Sequence, residues 1–368
     1  MLDFEGQALR ARLLELFRAP IDEPLPEPEF DALAREIFGY QYERNRAYAA
    51  YCARRGRTPG TVTHWTEIPA VPTTAFKYLP LASGNPRDAE AVFRTSGTTL
   101  GPERRGEHYV LDLSLYHAAL LPAFSAYLLP DGATLPMISL VPPPEALPDS
   151  SLAHMIDIVI RRLGAPESRY AASAAGLDSA LRTAETHGTP VCLLGTAAAF
   201  IHWLDRLAAA GQRYRLPPGS RLMDTGGYKG KGRDVPEDEL RRAYEERLGI
   251  PPDHCVNEYG MTELCSQFYD NVLRDRALRG TARPRHKRPP PWVRTLAADP
   301  ETLEPLPPAR TGILRHYDLA NLGSVLAVQT EDLGRETGDG GFLLLGRALG
   351  APPRGCSIAM DLLLRAAG

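Results

Sequence analysis

Lysine is almost missing from this chain. Only Lys77, Lys229, Lys231 and Lys287 occur, among 42 lysines and arginines in all. The hydroxyl-rich stretch at Thr95–Gly101 is not closed by Gly-Lys-Ser/Thr, which excludes a Walker-type phosphate loop. Cysteine is scarce as well. The five present (Cys52, Cys192, Cys255, Cys265, Cys356) are odd in number and form no Cys-x-x-Cys pair, so neither a disulfide framework nor a zinc site is indicated. Any cysteine that matters does so as a thiol. No apolar run reaches the ~18 residues of a membrane span. The charge-broken start, MLDFEGQALRARLLELF, lacks the layout of a signal peptide. A cytoplasmic protein without a membrane span is expected. The net charge of −3 offers no basic field, so no nucleic-acid partner is expected, and the local RPRHKR at Arg283–Arg288 reads as a solvated loop.

What is present is an ordinary globular composition, 43% hydrophobic and 24% charged over 368 residues, long enough for one large domain or two unequal ones. Apolar spacing predicts a helix over Gln7–Phe17 and a longer one over Phe30–Arg54. Short apolar runs at 134–141 and 191–196, a third in 220–233 that enters a glycine-rich loop and a fourth in 254–263 that ends in polar residues alternate with helical patterns, which indicates an α/β layered fold with ligands at the loops beyond the strand carboxyl ends. The tail, Thr311–Gly350, is strand-rich, with Gly and Asp at hairpin spacing. The expected division is an α/β domain over 1–310, with N-terminal helices 1–60 packed on it, and a β-rich terminal part over 311–368.

The chain turns on Phe93–Gly106, FRTSGTTLGPERRG. A short apolar run leads into hydroxyls and glycines, and Arg104 and Arg105 follow. Small residues let backbone approach a ligand, hydroxyls and N–H groups donate to anionic oxygen, and arginines add charge, so the loop suits a polyphosphate. Lys77, in the turn-rich Ile68–Leu79, suits a phosphate or a carboxylate equally.

Four further loops follow in order: Gly226-Gly227, NEYGMTE at Asn257–Glu263, TEDLG at Thr330–Gly334, and Gly346-Arg347. With IPAVPTTAFK, SSLAHM, MDTGGYKGKGR, PPWVR, YDLAN and a final RGCS, the ordered set resembles the adenylate-forming superfamily. Within it the chain is most similar to the acyl-protein synthetase (LuxE-type) branch, with phenylacetate-CoA ligase-like enzymes as the next relatives. The resemblance implies activation of a carboxylic acid, a fatty acid first among candidates, by ATP and Mg²⁺ to acyl-AMP. It implies that Ser96, Gly97, Thr98 and Thr99 hold the β- and γ-phosphates, with Arg104 or Arg105 assisting. Gly226 and Gly227 flank the adenine, Tyr259 lies on it, and Thr262 donates to the α-phosphate. Glu263 holds Mg²⁺ through hard oxygen ligands, while Asp332 and Arg347 meet the ribose.

Most adenylate-forming enzymes, as the resemblance implies, carry a mobile C-terminal domain with a catalytic lysine. Here 21 residues follow Arg347 and none is lysine, so that domain is expected to be lacking. The cation for adenylation must then come from Arg104, Arg105, Lys77, Lys229 or Lys231. Cys356 matches the cysteine that takes the acyl group as a thioester in the synthetase branch. A thiolate is a strong nucleophile, and Arg354 nearby would lower its pKa; Cys265 is a rival. The acceptor beyond is an acyl-CoA reductase-like partner, a carrier protein or a small nucleophile. Two alternatives stand beside this one: an acyl- or aryl-CoA ligase, and a non-catalytic nucleotide-binding subunit of an acyl-transfer complex.

Overall fold

A computed structural model describes residues 2–96, 105–171, 173–226, 229–230 and 233–348, with backbone alone at 229–230 and 233–234. The chain divides into two units: one of residues 1–122, 261–267 and 287–368, the other of residues 123–260 and 268–286. These cuts differ from a boundary at residue 310, because the strand Gly312–Asp318 pairs along its length with Val293–Ala298.

In the second unit the sheet runs Phe268–Asp270, Cys255–Tyr259, Arg221–Thr225, Cys192–Thr196, Met137–Ser139, Arg169–Tyr170. Its neighbours are parallel except for the antiparallel first pair. Parallel strands are covered on both faces, which is why CLLGT and RLMDT read as nearly continuous buried runs. The helix Ala197–Ala209 contributes Phe200, Ile201, Leu204 and Leu207 to the core, and Glu237–Leu248 contributes Leu240, Tyr244 and Leu248 at four-residue spacing. Arg221, 2% exposed, crosses this core only because it is fully matched. Its guanidinium meets both oxygens of Asp131 at 2.9 and 2.8 Å and donates to the carbonyls of Leu128 at 2.9 Å and Gly219 at 3.0 Å.

The first unit has an antiparallel sheet in the order Val293–Ala298, Gly312–Asp318, Ala327–Glu336, Phe342–Arg347, Lys287–Arg288, and Val71–Pro72 pairs in parallel with the start of Ala327–Glu336. A separate hairpin joins Ala91–Arg94 to Glu107–Val110. The helix Phe4–Leu16 is capped by Asp3, whose carboxylate accepts from Gly6 N at 3.0 Å. The helix Glu27–Arg44 carries the buried Gln41, which donates to the carbonyls of Asn321 (2.9 Å) and Leu322 (3.2 Å) and accepts from Leu326 N (2.9 Å). That one amide fixes the segment between two strands.

The helix expected over Phe30–Arg54 is two helices, Glu27–Arg44 and Arg46–Arg54. Asn45 sits between them in extended conformation (φ −110°, ψ 93°), and its side chain accepts from Tyr48 N at 3.1 Å. The apolar period runs on through the break, but an asparagine that caps the next helix competes with the backbone for that N–H. Tyr48 and Tyr51 beyond it are buried and donate to the carbonyls of Pro69 and Ala70, each at 3.0 Å. Replacing Asn45 with alanine removes the cap and is expected to cost about 1 kcal/mol. Urea unfolding of N45A checks this as a lowered midpoint at unchanged slope.

Candidate functional site

The segment Met261–Gln267 enters the first unit as a short irregular loop. Such a loop has few internal hydrogen bonds, so its shape depends on what holds it. Asp318, fully buried at the end of its strand, accepts from Cys265 N (3.1 Å), Ser266 N (2.8 Å), Ser266 Oγ (2.8 Å) and Ala320 N (3.0 Å). Burial raises its carboxyl to about 6, with the donors pulling the other way. Asn321 Nδ2 donates to the carbonyl of Glu263 at 2.8 Å and of Val325 at 3.1 Å. Trp292 Nε1 reaches Ser266 Oγ at 3.1 Å. The motifs YDLAN and PPWVR therefore grip the stretch Glu263–Ser266, from the last residue of NEYGMTE onward.

What the grip presents is Glu263. Its side chain is 6% exposed, and burial pushes the carboxyl up to about 7, against opposing pulls from its own backbone N–H, Arg347 and Lys77 and with a further push from Asp332. Glu263, Lys77, Asp332 and Arg347 thus share one electrostatic neighbourhood. Asp332 and Arg347 face each other across neighbouring antiparallel strands, with Arg347 Nε 3.9 Å from Asp332 Oδ1 and its terminal nitrogen 3.2 Å from Glu331 Oε2. Thr330 shapes this strand: its hydroxyl donates to Leu314 O at 2.9 Å and accepts from Asp332 N at 3.0 Å.

The hairpin supplies the approach to the hydroxyl–glycine loop. Thr95 N donates to Gly106 O (3.0 Å), Gly106 N donates to Thr95 Oγ1 (2.9 Å), and Arg105 reaches the carbonyls of Thr95 and Arg94. The Arg105 guanidinium therefore staples the stem. Ser96 follows, exposed. His108, one strand position in from the stem and buried, donates from Nδ1 to the carbonyl of Thr262 at 2.7 Å. Burial lowers its pKa to about 4, so the ring is neutral at pH 7 and this tautomer is fixed by the bond. Neither His108 nor Asp318 was singled out by sequence, because each acts on backbone atoms that no residue pattern displays.

In the second unit, Gly226 and Tyr259 stand at the carboxyl ends of adjacent parallel strands. Gly226 has φ +84°, a conformation that favours glycine. Tyr259 is buried beside the ring of Phe268, centroids 5.7 Å apart. Thr225 Oγ1 hydrogen-bonds the buried Glu258 carboxylate, and Asp224 accepts from Asn257 Nδ2 (2.7 Å) and from the hydroxyl of Tyr244 (2.9 Å). A Cβ on Gly260 would run into the Glu258 carboxylate, so a larger residue there would have to displace that side chain. Gly97, Thr98, Thr99, Arg104, Gly227, Lys231 and Cys356 lie outside the described residues, as does the side chain of Lys229.

Residues 174–364, more than half of the chain, match the family model described as acyl-protein synthetase, LuxE. The chain belongs to the LuxE acyl-protein synthetase family. It is similar to the long-chain-fatty-acid–luciferin-component ligases of Aliivibrio fischeri (22% identical over 328 residues, 83% of this chain and 78% of that protein) and Vibrio harveyi (22% over 329 residues, 83% and 80%). Among solved structures it resembles a 2-hydroxyisobutyryl-CoA ligase crystallised with 2-HIB-AMP, at a TM-score of 0.62 and 14% identity, over 88% of this chain and 69% of that one. A second crystal structure of that ligase, with 2-HIB-AMP and CoA, gives 0.61 at 15% identity, over 88% and 69%. At such identities the likeness establishes the α/β fold of adenylate-forming ligases, with its mixed sheets.

For this LuxE-family ligase the described thiols are poor nucleophiles. Cys52, Cys192, Cys255 and Cys265 are all buried, and burial raises each, Cys192 to about 12. Cys265, the rival to Cys356, is pushed well up, with Asp318 and Asp112 adding to the effect of burial. No helix among the described residues is long and apolar enough to cross a membrane. No cluster of three or more His, Cys, Asp or Glu among them could hold a metal alone.

The position of Glu263 has a thermodynamic consequence. Its carboxyl keeps a proton in the fold up to about pH 7, while the unfolded chain releases it near the ordinary 4.5. Stability is therefore lost as pH rises through that window, by roughly 3 kcal/mol for a fully buried group. In EDTA and without nucleotide, E263Q should match the parent at pH 4 and exceed it by that order at pH 8. Urea titrations at both pH values check the crossover.

Proposed function

We propose that this LuxE-family ligase activates a carboxylic acid, a fatty acid first, with ATP and passes the acyl group to Cys356. The carboxylate oxygen attacks the α-phosphorus, the bond to the bridging oxygen breaks, and pyrophosphate leaves. The Cys356 thiolate then attacks the acyl carbon, and AMP departs with the electrons of the broken acyl–oxygen bond. An acyl-CoA reductase-like protein, a carrier protein or a small nucleophile accepts the group from the thioester.

One observation carries this reading: Lys77, Asp332 and Arg347 lie close enough to Glu263 to shift its proton affinity, in a loop that buried side chains hold rigid. A buried carboxyl that resists ionisation yet faces cations is a group whose charge a divalent ion or triphosphate complex would stabilise. Mg²⁺ fits it. A magnesium site takes one or two carboxylates and completes its shell with phosphate oxygens and water. Bound there, the ion would offset the repulsion between a carboxylate and a triphosphate.

In this reading Ser96, Gly97, Thr98 and Thr99 cradle the outer phosphates, Thr262 donates to the α-phosphate, and Asp332 and Arg347 take the ribose. Gly226, Gly227 and Tyr259 meet the adenine. Lys77 joins Arg104 and Lys229 as a source of positive charge, and its charge favours the ionised form of Glu263. The fold likeness to a CoA ligase supports a second reading, release of acyl-CoA with Cys356 structural.

Pyrophosphate exchange into ATP that depends on added fatty acid is the expected result, reduced at least a hundredfold in E263Q. Exchange without acid, or none with any acid, counts against activation and leaves only nucleotide binding. Labelled acid should remain on the denatured parent protein and be absent from C356S. Label retained in C356S, with free acyl-CoA formed when CoA is added, would favour the second reading.

A further inference from the structure

Among the described residues two arginines are buried, Arg221 and Arg315, and they are treated differently. Arg221 has the bidentate carboxylate that a desolvated guanidinium needs. Arg315, 6% exposed, has no carboxylate partner among the described residues: Nε donates to the neutral Gln329 Oε1 at 3.0 Å, and Tyr317 lies beside it. It stands just past a bulge that breaks the register between Ile313 and Arg315, and bulges re-aim the side chains around them.

Arg315 lines a cleft of about 360 Å³ in the first unit, together with Arg54, Arg55 and Arg57. Glu67 and Glu304 also line it. Glu67 is already engaged, by Arg57 at 3.0 Å and by the Thr63 N–H at 2.8 Å. Arg55 lies over the Tyr51 ring, 5.7 Å from its centroid. None of the candidate nucleotide residues lines this cleft.

We propose that the cleft is a second ligand site, which binds a dianionic phosphate group with Arg315 as its buried floor. A buried unpaired charge is costly, and an anion that enters restores the missing partner. Guanidinium groups match tetrahedral oxyanions through paired N–H donors, and several of them lining one cleft suit a phosphate dianion. The volume leaves room for a small organic group on the phosphate.

The test is thermal unfolding and calorimetric titration of the full chain at pH 8, with inorganic phosphate, phenyl phosphate and acetate against chloride at matched ionic strength. Parent protein should show saturable stabilisation by a phosphate probe over chloride and over acetate, and at least tenfold weaker binding in R315M. Without phosphate R315M should be as stable as the parent or more so, because it removes an unpaired charge. Tighter binding of phenyl phosphate assigns the cleft to a phosphomonoester and tighter binding of inorganic phosphate to the free ion; either supports the proposal. If R315M fails to fold, the double variant R54Q/R55Q carries the same expectation. No phosphate effect beyond chloride, stabilisation by acetate alone, or an effect undiminished in the variants overturns it.

Discussion

Three hydrogen bonds into one buried carboxylate hold the loop that carries Glu263. Asp318 gathers the N–H groups of Cys265, Ser266 and Ala320 and the Ser266 hydroxyl. Hydrogen bonds to a charged acceptor are each worth about 1.5–3 kcal/mol. A loop of seven residues, 261–267, with little regular structure depends on such bonds to stay in one conformation. Asn321 adds a bond to the Glu263 carbonyl, and Gln41 in turn fixes Asn321 and Leu322 from a helix far away in sequence. The chain of support runs from helix to turn to loop before any ligand is involved.

Because the loop is held largely through its backbone, the Glu263 side chain, proposed to act on the metal, is left out of that support. Glu263 can be buried and poorly solvated, poised between Lys77 and Arg347 on one side of the charge balance and Asp332 on the other. His108 works the same way on Thr262, as a neutral ring whose one donor is spent on a carbonyl. The site is thus built from two classes of residue. Side chains such as Asp318, Asn321 and His108 position the backbone, and side chains such as Glu263, Asp332 and Arg347 face outward from it.

This division explains what could be read from the residues beforehand. The ordered loops pointed to an acyl-protein synthetase and an α/β fold, because glycine, hydroxyl and acid residues at strand ends carry chemistry that residue type alone displays. The alternation of apolar runs located the parallel strands at Cys192–Thr196, Arg221–Thr225 and Cys255–Tyr259. The break at Asn45 was hidden, since the apolar stripe continues on both sides of it and only a side-chain cap ends the first helix. The roles of Asp318 and His108 were hidden for a related reason: their partners are main-chain atoms. Arg315 was hidden because one arginine in a strand looks the same whether or not a carboxylate meets it in space.

The central claim is that the rigidly held Glu263 belongs to a metal–nucleotide site. Manganese binding, followed by electron paramagnetic resonance in the presence of a non-hydrolysable ATP analogue, tests it most directly. The account predicts one Mn²⁺ per chain, bound only with nucleotide and weakened at least tenfold in E263Q. Equal Mn²⁺ binding by E263Q and parent protein would contradict it.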